Sequence, residues 1–124
     1  MAKKIKQPGQ ENCLILAASE IRDYDKTREM MALWGVTADW LVICADGGYR
    51  HTKPLGVKPS VVMGDFDSAP APAAEEGMAV KRYPVEKDDT DTMLAVKEGM
   101  ERGATNFVII GGLGGRLDHT LANI

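Results

Sequence analysis

The sequence Val-Val-Met-Gly-Asp-Phe-Asp-Ser occupies residues 61–68 and joins an apolar run to two closely spaced carboxylates. The run predicts a buried strand that ends at Gly64. In extended backbone, Asp65 and Asp67 point to the same side and Phe66 to the other. Two carboxylates held this close repel unless a cation or a proton separates them, and Mg²⁺ commonly binds one or two carboxylates together with substrate phosphates. We therefore expect a magnesium–phosphate site at the carboxyl end of this strand, with a solvated acidic turn as the alternative.

Apolar runs and helical patterns alternate along the rest of the chain. Besides residues 61–63, the predicted strands are residues 13–18, 41–45, 80–83 and 106–110, and the predicted helices are residues 24–34, 49–55, 90–102 and a segment starting at residue 116. The strands are continuous apolar runs, which is typical of parallel strands covered on both faces. We therefore predict an α/β fold with a mostly parallel sheet and helices on both faces, a Rossmann-like three-layer arrangement.

The composition is that of an ordinary globular domain. The chain has 124 residues, 44% hydrophobic and 27% charged, with a net charge of −3. It has no basic run with interleaved aromatic residues and no apolar run near the ~18 residues of a membrane span, so we expect neither a nucleic acid nor a membrane as partner. We expect residues 1–10 to be a disordered terminus before one domain at 11–124, and Cys13 and Cys44 to be buried, reduced thiols of a cytoplasmic protein.

Four predicted strand ends carry acidic or glycine-rich sequences. They are Asp46-Gly47-Gly48 and the segments 64–68, 86–91 and 111–119. The carboxyl ends of parallel strands lie on one edge of a sheet, where open α/β sheets bind ligands. We therefore expect these four loops to meet at one site. The residues after the first loop are assigned to a solvated face, with one possible phosphate contact among Arg50, His51 and Lys53.

The acidic run before the third predicted helix has more carboxylates than a helix start needs. Asp and Thr are favoured in the first turn of a helix, which explains one or two of these residues. Asp88, Asp89 and Asp91 repel one another, so we expect at least one of them to bind a metal ion or a nucleotide. Lys87 either offsets this charge, reaches a phosphate or is an exposed lysine.

The glycine-rich segment 111–119 ends in charged residues. Glycines let backbone amides approach an anion at the start of a helix, and the planar guanidinium of Arg116 suits phosphate oxygens. The segment matches neither Gly-x-Gly-x-x-Gly nor a Gly-x-x-x-x-Gly-Lys-Thr loop. A tight strand-to-helix turn is therefore the alternative here, as a plain turn is for Asp46-Gly47-Gly48.

Taken together, these motifs resemble the thiamine pyrophosphokinase family. The matching pieces occur in the family's order and are Ala45-Asp46-Gly47-Gly48, residues 59–68 with Gly-Asp-Phe-Asp-Ser at their end, Lys87-Asp88-Asp89-Thr90-Asp91, and residues 114–124 with Gly-Gly-Arg-Leu-Asp-His at their start. The resemblance implies transfer of a pyrophosphoryl group from ATP to the hydroxyl of thiamine, giving thiamine diphosphate and AMP, with Mg²⁺ as cofactor.

The resemblance also implies roles for single residues. Asp65, Asp67 and Asp91 would ligate Mg²⁺. Asp67, Arg116 and Asp118 would be catalytic, with Arg116 holding phosphate and Asp118 orienting or deprotonating the attacking hydroxyl. Together with Arg116, the nucleotide-binding residues would be Asp46, Gly47, Gly48, Ser68, Lys87, Asp88, Thr90, Gly114, Gly115 and His119.

In this family a second, β-rich domain follows and contributes to the thiamine pocket, and the enzyme is a homodimer. We therefore expect residues 11–124 to be an ATP- and magnesium-binding catalytic domain that, without the β-rich domain, binds Mg·ATP weakly and turns over thiamine poorly. Three other functions fit parts of the sequence. They are a non-catalytic magnesium- and nucleotide-binding module, an aspartyl-phosphate phosphatase with Asp65 as nucleophile, and a sugar transferase with an Asp-x-Asp metal site.

Overall fold

The computed structural model describes residues 11–18, 20–45, 47–64, 78–82, 91–111 and 119–123, with the backbone alone at residue 91 and at 119–123. These residues form a sheet with helices along the chain. In chain order the elements are β1 (Asn12–Leu16), α1 (Tyr24–Leu33), β2 (Leu41–Cys44), a 3-10 turn (Gly48–His51), α2 (Thr52–Leu55), β3 (Val61–Gly64), β4 (Ala79–Arg82), α3 (Asp91–Glu101), β5 (Asn106–Ile110) and β6 (His119–Asn123).

The sheet has the strand order β4-β3-β2-β1-β5-β6. The first five strands are parallel, and β6 pairs antiparallel with β5. β1 lies in the middle, where Cys13 pairs with Leu41 of β2 on one side and with Phe107 of β5 on the other. The chain moves outward from β1 through β2 to β3 and later returns to the opposite side of β1 with β5. The predicted mostly parallel α/β sheet is therefore confirmed.

Alternate residues of the strands point to opposite faces of the sheet, and each face has its own apolar core. One face packs against Ala95 and Val96 of α3, and the other against Met31 of α1 and Leu55 of α2. The connections from β1 through β2 to β3 cross the sheet in one direction, and the connection from β4 to β5 crosses it in the other. Because connections between parallel strands are right-handed, opposite directions place the helices on opposite faces. The predicted three-layer arrangement is confirmed by this placement of the helices.

Local sequence explains where α1 begins and ends. The carboxylate of Asp23 accepts a hydrogen bond from the Lys26 backbone N–H at 3.0 Å, as a favoured N-cap residue does. The helix ends at its C-cap residue, Trp34, and Gly35 follows with φ +77°, in the left-handed region that glycine adopts without strain. The predicted helix with a stop at Gly35 is confirmed.

Three ion-paired side chains fasten α3 to the edge strand β4. Glu98 is only 5% exposed, and its carboxylate accepts hydrogen bonds from the Lys81 ammonium at 2.8 and 2.9 Å and from Arg102 Nε at 2.7 Å. Burial by itself raises the pKa of Glu98, but the hydrogen bonds and charges of the two cations outweigh it and hold that pKa below its ordinary value. Glu98 therefore stays ionised at neutral pH.

Both cysteines lie inside the sheet as expected. Cys13 and Cys44 are fully buried free thiols, and burial raises the pKa of each to about 12. At neutral pH both are thiols, so they fill space in the core and carry no charge.

Two predicted helical segments differ from the structure. Residues 49–55 divide into the 3-10 turn and the single-turn helix α2. Pro54 has no backbone N–H, and the first turn of a helix does not require one. The helix predicted from residue 116 was wrong, because His119–Asn123 is a strand that pairs with β5. A short helix depends on tertiary packing for its stability, whereas the outer side of β5 offers unpaired N–H and C=O groups to an extended segment.

Candidate functional site

The strand order identifies one edge of the sheet as the place for a ligand. In open α/β sheets, ligands bind outside the carboxyl ends of the strands, where successive connections leave a strand in opposite directions. Here that position lies between β1 and β5, with the carboxyl end of β2 on the other side of β1. The segments that reach it are Ala17 and Ala18 after β1, Gly47 and Gly48 after β2, and Gly111 after β5.

Backbone hydrogen bonds hold the ends of these three strands together. The Ala17 N–H donates to the Ile110 carbonyl at 2.8 Å, which joins β1 to β5 at their carboxyl ends. The Ala45 N–H donates to the Leu16 carbonyl at 2.8 Å, which joins β2 to β1. The three loops therefore leave the sheet from one rigid base.

The two glycines after β2 are explained by close packing against β1. A Cβ on Gly48 would lie 1.9 Å from the Leu16 carbonyl oxygen, a distance at which no side chain fits. Gly47 has φ +78°, and a Cβ there would lie 3.0 Å from the Ala18 Cβ. The backbone at Gly47 and Gly48 therefore packs directly against the end of β1. This packing fits both a turn that binds a ligand and a tight turn with a structural role only.

The residues that follow this turn tie it to the loop after β1. Arg50 Nη2 donates to the Ala18 carbonyl at 2.5 Å. Arg50 and Lys53 are exposed as predicted, but the solvated-face prediction was wrong for His51, which is 1% exposed. Its Nδ1 lies 2.7 Å from the hydroxyl of Tyr24, the first residue of α1. Nothing in the local sequence distinguished His51 from its neighbours, because only the packing of α1 on this turn buries it.

The topology also brings the start of one predicted acidic motif, residues 64–68, and the end of another, residues 86–91, to this edge. β3 ends at Gly64, the residue before Asp65, and α3 begins at Asp91. α3 has 11 residues and is about 16 Å long. After the helix, the N–H groups of Thr105 and Asn106 donate to the carbonyl of Glu11, which lies at the amino end of β1. Its first residue therefore lies toward the carboxyl edge.

Most of the predicted site residues lie outside the described ranges. Of the predicted set, the structure describes Gly47 and Gly48 in full and the backbone of Asp91 and His119, where His119 begins β6. Those outside are Asp46, Asp65, Asp67, Ser68, Lys87, Asp88, Thr90, Gly114, Gly115, Arg116 and Asp118. Among the side chains that are described, no three His, Cys, Asp or Glu residues form a group that could hold a metal ion. The magnesium site stays a prediction.

The described part of the chain also contains two clefts. A cleft of about 500 Å³ lies at the amino edge, with Thr37, Val42 and Lys58 among its lining residues. A second, of about 440 Å³, lies between β4 and α3 beside the Glu98 ion pairs. Neither adjoins the ends of β1, β2 and β5. Within the same described ranges, no helix has the length and apolar character to cross a membrane.

Comparisons with known protein sequences identify the family of the chain. A model of the family described as thiamin pyrophosphokinase, catalytic domain, matches residues 33–124. The thiamine pyrophosphokinase of Bacillus subtilis (strain 168) is 37% identical over 88 residues, which are 68% of this chain and 41% of that protein.

Solved structures of similar proteins share this fold. A thiamin pyrophosphokinase family protein from Enterococcus faecalis is 26% identical, with a TM-score of 0.55 over 85% of this chain and 48% of that one. A protein from Lactobacillus plantarum is 25% identical, with a TM-score of 0.57 over 85% of this chain and 46% of that one. The chain thus spans about half the length of these relatives, or less.

Proposed function

The chain belongs to the thiamin pyrophosphokinase family, and from that premise we propose that it supplies the ATP- and magnesium-binding half of an enzyme that makes thiamine diphosphate. In this reaction the pyrophosphoryl group of ATP passes to the hydroxyl of thiamine, and AMP is released. The family match carries the proposal. The convergence of three strand ends at the edge where open α/β sheets bind ligands supports it.

The reaction makes definite demands on this chain. The thiamine hydroxyl oxygen attacks the β-phosphorus of ATP, the bond from that phosphorus to the oxygen shared with the α-phosphate breaks, and AMP leaves with that oxygen. Asp118 accepts the hydroxyl proton, and Arg116 holds phosphate oxygens through its planar guanidinium. The backbone of Gly47 and Gly48 packs against the end of β1, at the edge where we propose that the nucleotide binds.

The proposed metal ligands are Asp65, Asp67 and Asp91, a donor set of hard oxygens that fits Mg²⁺. When bound, the ion would offset charge on the phosphate oxygens during transfer. Asp65 follows the last residue of β3 directly, and Asp91 is the first residue of α3. Both positions lead to the same edge of the sheet, which supports a shared ion.

We also propose that the enzyme is a cytoplasmic homodimer in which residues outside this chain complete the thiamine pocket. The relatives are longer than the chain, whose matches cover 41% of one and 48% of another. The 124 residues alone should then bind Mg·ATP and release little AMP. Robust thiamine-dependent AMP release from the isolated chain would contradict the proposal that other residues complete the thiamine pocket.

The decisive experiment measures AMP formation by the full-length gene product with ATP and Mg²⁺, with and without thiamine. We expect AMP only when thiamine is present, and a loss of roughly 100-fold or more in Asp67→Asn because several kcal/mol of charge stabilisation disappear. Asp39→Asn is the matched control, since Asp39 is exposed and precedes β2 at the amino edge. An Asp67→Asn enzyme as active as Asp39→Asn would remove Asp67 from the metal site.

A second candidate is a magnesium- and nucleotide-binding module without catalysis of its own. Calorimetry with ATP and Mg²⁺ would show binding under either proposal. AMP production by the full-length protein separates them, because a module yields none.

A further inference from the structure

Helix α1 contacts the segment after β2 through two side chains one helical turn apart. Tyr24 Oη lies 2.7 Å from His51 Nδ1, with ring centroids 5.7 Å apart and the rings tilted by 52°. Arg28 donates from its guanidinium to the Pro54 carbonyl. Residues four apart share a face of a helix, so this face of α1 fastens both the 3-10 turn and α2.

The Tyr24–His51 pair is a polar contact in an apolar setting. His51 is 1% exposed, and Tyr24 packs against the apolar cluster that contains Leu16 and Leu55. Burying an imidazole is costly unless its nitrogens have partners. An apolar side chain would fill the same space without that requirement, so packing alone does not account for the pair.

The pair lies directly behind the turn that faces the proposed site. His51 ends the 3-10 turn that begins at Gly48, and Gly48 donates its N–H to the Ala45 carbonyl at 2.7 Å. From the other side, Arg50 donates to the Ala18 carbonyl. The turn is thus held at the end of β2, at the loop after β1 and at the start of α1.

Resting on the proposed function, we propose that Tyr24 and His51 are positioning residues for nucleotide binding. Their hydrogen bond holds the 3-10 turn so that the Gly47–Gly48 backbone keeps the shape that Mg·ATP requires. Neither side chain touches the nucleotide. The pair acts by reducing the number of conformations that the turn must give up on binding.

The test compares Mg·ATP affinity with stability in matched variants of the chain. Tyr24→Phe deletes only the hydroxyl. Asn12→Ala deletes a part-buried hydrogen bond at the amino ends of β1 and β5, which Asn106 Nδ2 donates to Asn12 Oδ1 at 3.1 Å. We expect similar losses of melting temperature in both. By calorimetric titration, we expect Mg·ATP binding roughly fivefold weaker in Tyr24→Phe, the effect of one neutral hydrogen bond, and unchanged in Asn12→Ala.

Two further measurements separate positioning from mere structural support. His51→Gln keeps a hydrogen-bonding group for Tyr24 and should bind Mg·ATP more tightly than His51→Leu, which has none. Hydrogen exchange at the Gly48 amide should be faster in Tyr24→Phe than in wild type, with strand amides unchanged.

The outcomes are distinct. Equal weakening in Tyr24→Phe and Asn12→Ala, or wild-type affinity in Tyr24→Phe, would overturn the positioning role and leave the proposed function standing. A wild-type chain that binds no Mg·ATP would overturn the proposed function, and exchange at Gly48 would still show whether the pair orders the turn.

Discussion

Replacing Gly48 with alanine should destabilise the domain more than any other glycine substitution at this edge. The added Cβ would lie 1.9 Å from the Leu16 carbonyl oxygen and 2.6 Å from its carbonyl carbon. Real Cβ atoms essentially never come closer than 3.0 Å, so the turn must retreat by at least 1.1 Å from β1. Both atoms belong to backbone, so no side chain can rotate to make room.

The cost follows from the hydrogen bonds that this retreat breaks. The Leu16 oxygen accepts from the Ala45 N–H at 2.8 Å, and the Gly48 N–H donates to the Ala45 carbonyl at 2.7 Å. Leaving a buried donor or acceptor unsatisfied costs about 1–3 kcal/mol, so losing both bonds costs about 2–6 kcal/mol. Since domains are stable by only about 5–15 kcal/mol, this is a large fraction of the total.

Gly35→Ala is the matched control because it isolates the other cost of replacing a glycine. Gly35 has φ +77° and open space around the position of a Cβ, so only backbone strain of about 1–2 kcal/mol is expected. Urea unfolding followed by the fluorescence of Trp34 and Trp40 measures both variants. If Gly48→Ala proves no more destabilising than Gly35→Ala, the turn is not packed against β1 as described.

Three further predictions follow from contacts in the core. Gly99→Ala should cost about 1–3 kcal/mol by overpacking, because its Cβ would lie 2.7 Å from the Phe107 ring; urea unfolding measures it, and no loss would mean that α3 has room to move. Glu98→Gln should cost about 1–3 kcal/mol at pH 7 by weakening the charge-assisted hydrogen bonds from Lys81 and Arg102. Because the folded pKa of Glu98 is lowered, that stabilisation is present above its unfolded pKa of about 4.3 and is lost as the pH falls through the folded pKa. The difference in stability between the two proteins should therefore shrink in urea titrations at acidic pH, and a constant difference would contradict this reasoning. Cys13 and Cys44, with pKa values raised to about 12, should react with a thiol reagent at pH 8 only at the rate of opening, and fast labelling of the folded chain would refute their burial.

The ends of the elements and the fold class were predictable because their signals are local. The apolar run 41–45 predicted β2, and Gly35 predicted the end of α1, both confirmed. The segment after residue 116 was predicted wrongly as a helix, because its sequence does not reveal that the outer side of β5 offers backbone partners to residues 119–123.

The candidate site also has features that the sequence predicted and features that only the structure showed. Its motifs, among them Asp46-Gly47-Gly48, were visible in the chain, and their resemblance to a known family sufficed to predict the family. The two glycines are visible in this way because a turn that packs closely against a neighbouring strand requires glycine. The burial of His51 against Tyr24 was not visible, because these residues are 27 positions apart and meet only when α1 packs on the turn. Short-range pattern thus specified most of the strands and helices and the family, whereas the strand order that places β1 between β2 and β5 came from long-range pairing. Which strand lies beside which depends on contacts that no local periodicity encodes.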